Sequence, residues 1–176
     1  MNKIYIVEGQ DRCGKGTLVD ILRRTITNDK ILVIHSAKPP KNVDPEQWTI
    51  AYYNNLKESI TDLFYKGYDI ILDRSWLGET VYGPIYRQVH IPLHKLELNP
   101  IISQALIVLV DDASSIASRS DGLSMSEDLG ALESERKAFK EAFFSSTVKN
   151  KELIDWEYEP YSKSKLEGFA RSMING

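Results

Sequence analysis

Two glycines and a lysine near the start of the chain have the spacing of a phosphate-binding loop. These residues are Gly9, Gly14 and Lys15. They lie between the apolar run Lys3–Val7, which suits a strand, and Leu18, Ile21 and Leu22, which suit the buried face of a helix. Glycines let backbone N–H groups turn inward around an anion, and the lysine reaches the β and γ phosphates. The pattern predicts a strand, a loop that binds a nucleoside triphosphate, and a helix.

Two arginines and an aspartate could supply the rest of a phosphoryl-transfer site. Arg12 lies inside the loop, where a cation neutralises charge on the transferring phosphoryl group. Asp73 and Arg74 end a second apolar run, so Asp73 can hold magnesium or its water and Arg74 can clamp a phosphate. The alternatives are a solvated turn residue for Arg12 and a structural ion pair for Arg74.

Apolar runs and helix-length segments alternate along the whole chain, which predicts an α/β fold. The predicted architecture has three layers, with a parallel five-stranded sheet flanked by helices and ligands at the carboxyl ends of the strands. The strand-like runs are Lys3–Val7, Ile31–His35, Asp69–Leu72, Ala105–Val110 and Glu152–Ile154.

The longest predicted helix has a clear start. Asp44 can cap it and Pro45 suits its first turn, and we expect it to end near Tyr65. Every fourth residue on one face is apolar, which predicts a buried face formed by Trp48, Tyr52, Leu56, Ile60 and Phe64. A last helix is predicted from about Tyr161 to Met173.

The length and charge of the chain limit the kind of protein that it can be. A chain of 176 residues suits a single domain, predicted over residues 1–176. A net charge of −3 argues against nucleic acid as the main partner. No apolar stretch is long enough to predict membrane insertion, and the one cysteine, Cys13, cannot form an internal disulfide, so we expect a cytoplasmic protein.

Glu8 to Lys15 read Glu-Gly-x-Asp-Arg-x-Gly-Lys, which resembles the phosphate loop of thymidylate kinases, in particular the type with an arginine in the loop. The Asp73-Arg74 pair resembles a second signature of that family. The resemblance implies a P-loop kinase fold and transfer of the γ-phosphoryl group of ATP, with Mg²⁺, to a deoxynucleoside 5′-monophosphate, with dTMP as the expected acceptor. It implies catalytic roles for Arg12, Lys15, Asp73 and Arg74.

One departure from many phosphate loops concerns the metal. Gly16 follows the lysine and Thr17 comes next, as in adenylate kinases, so Thr17 is the expected hydroxyl ligand of Mg²⁺ beside Asp73. The resemblance also implies a lid at about residues 119–128 that opens with an ATP-contacting arginine, here Arg119. The ATP-binding residues implied in this way are Gly9, Gln10, Asp11, Arg12, Cys13, Gly14, Lys15, Gly16, Thr17 and Arg119.

The acceptor site is less well defined by the sequence. In the family, a basic loop residue contacts the acceptor phosphate, and an aromatic residue and an arginine on the following helix read the base. Here that helix carries Tyr52-Tyr53-Asn54-Asn55 and lacks the arginine, so the accepted base stays open. A further stretch from Gly78 to Arg87 resembles phage-encoded members, and Arg87 is a candidate phosphate contact. The implied acceptor residues are Asp11, Lys38, Tyr52, Asn55, Arg74, Glu79 and Tyr82.

Two other functions remain open at this point. A kinase that phosphorylates a hydroxyl of a nucleoside or a DNA base would need a general base, for which Glu8 and Asp73 are candidates. A regulatory nucleotide-binding module would bind nucleotide with little turnover. Family analogy further implies a homodimer, for which the helix surface bearing Trp48 is a candidate interface.

Overall fold

A computed structural model describes residues 2–92, 105–119, 126–158 and 160–175. Five parallel strands form one sheet in the order β2-β3-β1-β4-β5. The strands are β1 (Ile4–Gly9), β2 (Ile31–His35), β3 (Asp69–Asp73), β4 (Ala105–Val110) and β5 (Asn150–Asp155). The helices are α1 (Lys15–Thr25), α2 (Pro45–Tyr65), α3 (Trp76–Tyr82), α4 (Ala113–Ser118), α5 (Leu129–Ser145) and α6 (Lys163–Asn175), with a π-helical turn over Gly83–Arg87.

The central strands are buried on both faces, which explains their continuous apolar sequences. Side chains alternate along β1, so Ile4 and Ile6 join a core with α2, α3 and α5, while Tyr5 and Val7 join one with α1 and α6. Helices therefore cover both faces of a parallel sheet. The predicted three-layer α/β fold is confirmed.

The predicted helix α2 is confirmed at both ends, but its buried face is rotated. Asp44 accepts a hydrogen bond from the N–H of Gln47 at 3.0 Å, with Pro45 in the first turn. The fully buried residues are Thr49, Tyr53 and Ile60, whereas Tyr52 is only half-buried. The other members of the predicted face are partly buried, and Tyr52, Leu56 and Phe64 pack against the core. An α-helix has 3.6 residues per turn, so a row of every fourth residue drifts by roughly 40° per step, and only Ile60 of this row is fully buried. The predicted face is therefore confirmed in part, and it missed Thr49 and Tyr53.

The other boundaries differ from the predictions by two residues or fewer. β1 continues two residues beyond Val7 to Gly9, and α6 begins at Lys163 rather than Tyr161 and ends at Asn175 rather than Met173. The extension of β1 matters because it carries the chain directly into the phosphate loop. Among the described residues, no helix is both long and apolar enough to cross a membrane.

Candidate active site

The phosphate loop lies between β1 and α1, and it packs tightly against β4. Gly9 has φ +131°, and a Cβ atom there would lie 1.9 Å from the carbonyl oxygen of Leu109. Gly14, with φ +91°, caps the first turn of α1. Both positions require glycine, since side chains rarely tolerate positive φ and position 9 has no room for a Cβ.

Lys15 is held inside the loop. Its Nζ donates hydrogen bonds to the carbonyl oxygens of Gly9 at 3.0 Å and Gln10 at 2.5 Å, and lies 3.7 Å from the Asp11 carboxylate. Burial lowers the pKa of Lys15 from its ordinary value. The predicted phosphate lysine therefore points across the concave side of the loop.

Two loop side chains face away from the ligand side and support the loop from behind. Gln10 is fully buried; its amide nitrogen donates to the Leu132 carbonyl at 2.8 Å, and its amide oxygen accepts from the N–H of Asp111 at 3.1 Å. The Cys13 side chain is buried in the core, and its carbonyl accepts from the Trp156 indole N–H at 2.9 Å. The side chains of Gln10 and Cys13 are therefore not available to ATP, and the contacts expected of these two residues would be made by their backbone.

The guanidinium group of Arg12 is buried without hydrogen bonds to the described residues. Its side chain is 6% exposed, and all three guanidinium nitrogens lack a hydrogen-bond partner among the described residues. The Glu127 carboxylate lies 4.0 Å away. The backbone of Arg12 has φ +64°, a left-handed conformation that costs energy in a non-glycine residue. Desolvation and backbone strain at one residue are typical of a functional site.

Arg74 is the second arginine with a left-handed backbone, at φ +70°. Its N–H donates to the Val7 carbonyl at 3.0 Å, and its own carbonyl accepts from the Ser36 hydroxyl at 2.7 Å. Its guanidinium forms an ion pair with Asp11 and lies over the ring of Tyr82, 5.5 Å from the centroid. The two predicted motifs thus meet at the Asp11–Arg74 pair.

Asp11 is ionised between two cations. Burial alone would raise the pKa of its carboxyl, but Lys15 and Arg74 together hold that pKa below its ordinary value. The carboxylate is therefore an acceptor throughout the neutral range.

Glu8 joins the phosphate loop to the turn after β3. Its fully buried carboxylate accepts hydrogen bonds from the backbone N–H and hydroxyl of Ser75 and from the N–H of Gly78 at 3.0 Å. The Ser75 carbonyl in turn accepts from the Tyr53 hydroxyl at 2.9 Å. All three hydrogen bonds to the Glu8 carboxylate go to Oε1, and the buried Oε2 has no hydrogen-bond partner among the described residues. Glu8 is fully buried, which disfavours it as the general base of a hydroxyl kinase.

Thr17 and Asp73, the predicted magnesium ligands, line the same cavity as Lys15. Nδ1 of His35 lies 2.8 Å from the Asp73 carboxylate. The described residues contain no group of three or more His, Cys, Asp or Glu side chains able to hold a metal. A hydroxyl and a carboxylate beside a phosphate loop fit Mg²⁺, which takes one or two protein ligands together with waters and substrate phosphates.

The larger of two adjoining cavities, of about 650 Å³, opens over the phosphate loop. Arg119 lies on its wall, with its side chain paired to Asp111 and donating from Nε to the Ser115 carbonyl at 2.9 Å. Residues 120–125 of the predicted lid lie outside the described residues. The lining consists of Asp11, Arg12, Gly14, Lys15, Gly16, Thr17, Asp73, Arg74, Arg119 and Tyr161.

Tyr161 was missed by the sequence analysis, which could not choose residues after β5. Its ring lies against Gly14, 2.9 Å from where a Cβ would stand, and contacts the Trp156 ring edge-on at 5.2 Å. The only indication of this contact in the sequence was that two aromatic residues, Trp156 and Tyr161, follow the last strand.

The smaller cavity, of about 360 Å³, has Asp11 and Arg74 in common with the larger one. Of the predicted acceptor residues, it brings Lys38, Glu79 and Tyr82 together with this pair. Tyr52 and Asn55 lie outside its described lining, and Asn55 is exposed on α2; the residue that α2 contributes to the wall is Tyr53. The lining consists of Asp11, Ser36, Ala37, Lys38, Tyr53, Arg74, Ser75, Gly78, Glu79, Tyr82 and Arg87.

Opposite charges meet on the wall of the smaller cavity. Glu79 and Arg87 form an ion pair, with side chains 11% and 19% exposed. Burial raises the pKa of Glu79, and Arg87 opposes that shift. Burial likewise raises the pKa of Tyr82 well above its ordinary value, so its hydroxyl stays protonated.

Solved structures share this fold, and two of them are thymidylate kinases. A YorR protein from Bacillus subtilis, described in complex with phosphorylated GDP, is 16% identical, with 98% of this chain and 96% of that chain covered and a TM-score of 0.72. The thymidylate kinase of Candida albicans is 19% identical, with 99% and 91% covered and a TM-score of 0.68. That of Ehrlichia chaffeensis is 11% identical, with 98% of each chain covered and a TM-score of 0.67.

These likenesses confirm the resemblance to thymidylate kinases at the level of the fold, over almost the whole chain. No protein-family model matches the sequence, and no curated protein is similar to it. The chain therefore has a P-loop kinase fold.

Proposed function

We propose that this protein transfers the γ-phosphoryl group of ATP to a deoxynucleoside 5′-monophosphate, with dTMP as an acceptor. The observation that carries the proposal is Arg12, whose buried guanidinium has no hydrogen-bond partner among the described residues and lies on the wall of the cavity over the phosphate loop. A desolvated cation is costly unless a ligand compensates it. A phosphoryl group in transfer is an anion that would do so.

The two adjoining cavities suggest a separate binding site for each of the two substrates. ATP would occupy the larger one, with its phosphates on the loop N–H groups and Lys15, and the acceptor would occupy the smaller one. Arg74, common to both linings, would then hold the attacking phosphate in line with the γ-phosphate, with Lys38 as a second cation. Positioning and charge neutralisation are the main contributions that phosphoryl transfer requires of a protein.

Magnesium fits the same arrangement. Thr17 and Asp73 would hold the ion beside the β and γ phosphates, and His35 would orient the Asp73 carboxylate through the 2.8 Å contact. The ion would supply charge neutralisation on the phosphate oxygens.

A monophosphate acceptor is favoured over a hydroxyl by the charges on the cavity wall. Arg74 and Lys38 offer cations for an acceptor phosphate, which is already an oxyanion and needs no general base. A hydroxyl acceptor needs a general base; of the two candidates, Glu8 is fully buried and outside both described cavity linings, and Asp73 is the proposed magnesium ligand. dTMP is proposed because two solved structures of the same fold are thymidylate kinases; the YorR complex extends this fold to a guanine nucleotide.

The first test is release of ADP from Mg·ATP with each deoxynucleoside monophosphate, UMP or thymidine as the sole acceptor. Wild type is compared with Arg74→Ala and with Arg171→Ala, which removes an exposed arginine on α6. We expect acceptor-dependent ADP release in wild type and Arg171→Ala. Arg74→Ala should lower kcat/KM by roughly 10²-fold or more, since a charge-assisted bidentate contact to the acceptor phosphate is lost.

Other results have distinct meanings. Release with thymidine alone would identify a hydroxyl kinase and refute the monophosphate proposal. Tight ATP binding with no release for any acceptor would favour a regulatory module.

We further propose a homodimer in the cytoplasm with nucleotides, rather than nucleic acid, as its ligands. The support is the family resemblance, the net charge of −3, and the aromatic residues Trp48 and Tyr52 on α2, whose rings stack with centroids 4.7 Å apart. Light scattering should give twice the chain mass of 20.1 kDa, and a value near 20.1 kDa would contradict the dimer.

A further inference from the structure

The Glu79–Arg87 ion pair is not needed for phosphate binding. Both side chains line the smaller cavity and are largely buried, and their charges neutralise each other. The Arg87 side chain is 19% exposed against 35% for Arg74, and its carboxylate partner Glu79 is 11% exposed, so this pair is the more deeply buried of the two arginine–carboxylate pairs on the cavity wall. Burying two charges is costly, and a role besides phosphate binding would account for keeping them there.

The backbone is irregular where it delivers this pair. Gly83–Arg87 form a π-helical turn, after which Gln88 adopts φ +55° and the N–H of Val89 donates to the Gly83 carbonyl at 3.1 Å. A Cβ on Gly83 would lie 2.8 Å from the Val89 carbonyl oxygen. π-Helical turns are rare and are found frequently at functional sites. This turn sets Arg87 against Glu79 on the cavity wall.

An ion pair of this kind is matched to one base edge in particular. Guanine presents two neighbouring N–H donors, N1–H and the N2 amino group, beside the acceptor O6. A carboxylate accepts from both donors at once, and arginine to guanine O6 or N7 is the commonest specific base contact of that residue. Thymine offers a single ring N–H, so it leaves part of the carboxylate unmatched.

We propose that Glu79 and Arg87 read the Watson–Crick edge of the acceptor base and make dGMP a substrate alongside dTMP, an inference that rests on the proposed function. Glu79 accepts from N1–H and the N2 amino group of guanine, and Arg87 donates to O6. Arg74 and Lys38 hold the phosphate of the same nucleotide in the same cavity.

The test changes the proposed contact from each side: it removes the amino group from the base, and it replaces the carboxylate of Glu79 by an amide. ADP release is measured with dGMP, with dIMP, which lacks only the N2 amino group, and with dTMP. Glu79→Gln is compared with Glu58→Gln, which changes an exposed glutamate on α2. Thermal unfolding of each variant establishes that it is folded.

In wild type and Glu58→Gln we expect kcat/KM for dGMP to exceed that for dIMP by about tenfold, the lower part of the range for a specific base contact. Glu79→Gln should lower kcat/KM for dGMP and bring the dGMP-to-dIMP ratio close to unity. Its activity with dTMP should fall less, since the Gln oxygen still accepts from one N–H. If Glu79 were only a structural residue, Glu79→Gln would lower kcat/KM equally for all three substrates.

Three results would overturn the inference. They are activity with dTMP but none with dGMP, equal use of dGMP and dIMP by wild type, and a dGMP-to-dIMP ratio that Glu79→Gln leaves unchanged. The wild-type comparison stands even if Glu79→Gln does not fold. No ADP release with any monophosphate would refute the proposed function itself, which is a distinguishable outcome.

Discussion

The buried position of the Arg12 side chain suits a bound anion, but it lowers the stability of the protein without ligand. A buried guanidinium without hydrogen bonds destabilises the fold, so replacing it by an apolar side chain of similar length should stabilise it. We expect Arg12→Met to raise Tm by roughly 2–4 °C, which corresponds to about 1 kcal/mol in a chain of this size. The same variant should lower kcat by about 10³-fold, as for loss of an arginine finger.

Differential scanning calorimetry and steady-state kinetics measure the two effects. Arg24→Met, which replaces an exposed arginine on α1, is the control and should change neither quantity appreciably. A lower Tm for Arg12→Met, or unchanged kcat, would show that Arg12 is a structural residue.

Cys13 should be unreactive despite its position in the phosphate loop. The side chain is fully buried, and burial raises the pKa of its thiol to about 12, so almost no thiolate exists near pH 8. Because the sequence has a single cysteine, reaction with Ellman's reagent reports on this residue alone. We expect no reaction of the native protein within minutes and one equivalent in concentrated guanidinium chloride. Rapid native labelling would contradict the buried placement.

At the scale of residues, the sequence predicted those positions whose chemistry depends on local spacing. Lys15, Asp73 and Arg74 line one cavity, because parallel strands bring the loops after β1 and β3 to the same edge of the sheet. Their roles there stay predictions. Tyr53 was missed in favour of Tyr52, since one position along a helix rotates a side chain by about 100°. The pairing of Glu79 with Arg87 depends on a π-helical turn, which has no periodic pattern in the sequence by which it could be predicted.

The junction of β1 with β4 depends on the absence of a side chain at position 9. Gly9→Ala would place a methyl group 1.9 Å from the Leu109 carbonyl oxygen at a φ of +131°, so the two strand ends must separate. We expect a loss of about 2–4 kcal/mol in the free energy of unfolding in urea, with weakened ATP binding.

A glycine elsewhere provides the opposite case. Gly168 lies within α6, and a Cβ there would meet nothing within 4 Å. Gly168→Ala should therefore gain up to about 1 kcal/mol from helix propensity. If both substitutions changed stability equally, the close approach of β1 to β4 would not be the cause.

At the scale of elements, the alternation of apolar runs and helical segments predicted all five strands and the long helix α2. Parallel strands buried on both faces have a simple apolar signature, which explains this success. The buried face of α2 was confirmed only in part, because partly buried residues such as Tyr52 and Phe64 extend its apolar surface beyond the fully buried Thr49, Tyr53 and Ile60. The single domain over residues 1–176 and the lid at about residues 119–128 stay predictions.

The whole molecule places its two cavities side by side, with Asp11 and Arg74 lining both. A bisubstrate analogue that joins adenosine and thymidine through a polyphosphate chain should bridge them. With Mg²⁺, we expect it to raise Tm more than ATP and dTMP do together at the same concentrations, because linkage makes the second binding event intramolecular. A shift no larger than that of ATP alone would mean that the cavities do not bind the two substrates in line.

Glu8 and Ser75 are 67 residues apart in sequence and share a buried hydrogen bond of 2.9 Å. Loss of the Ser75 hydroxyl removes a donor from a carboxylate that has no access to water, and loss of the carboxylate leaves donors of the β3 turn unpaired. Selection therefore acts on the two positions jointly. The phosphate loop and the Asp-Arg motif form one inherited unit, and we expect positions 8 and 75 to covary among homologous sequences.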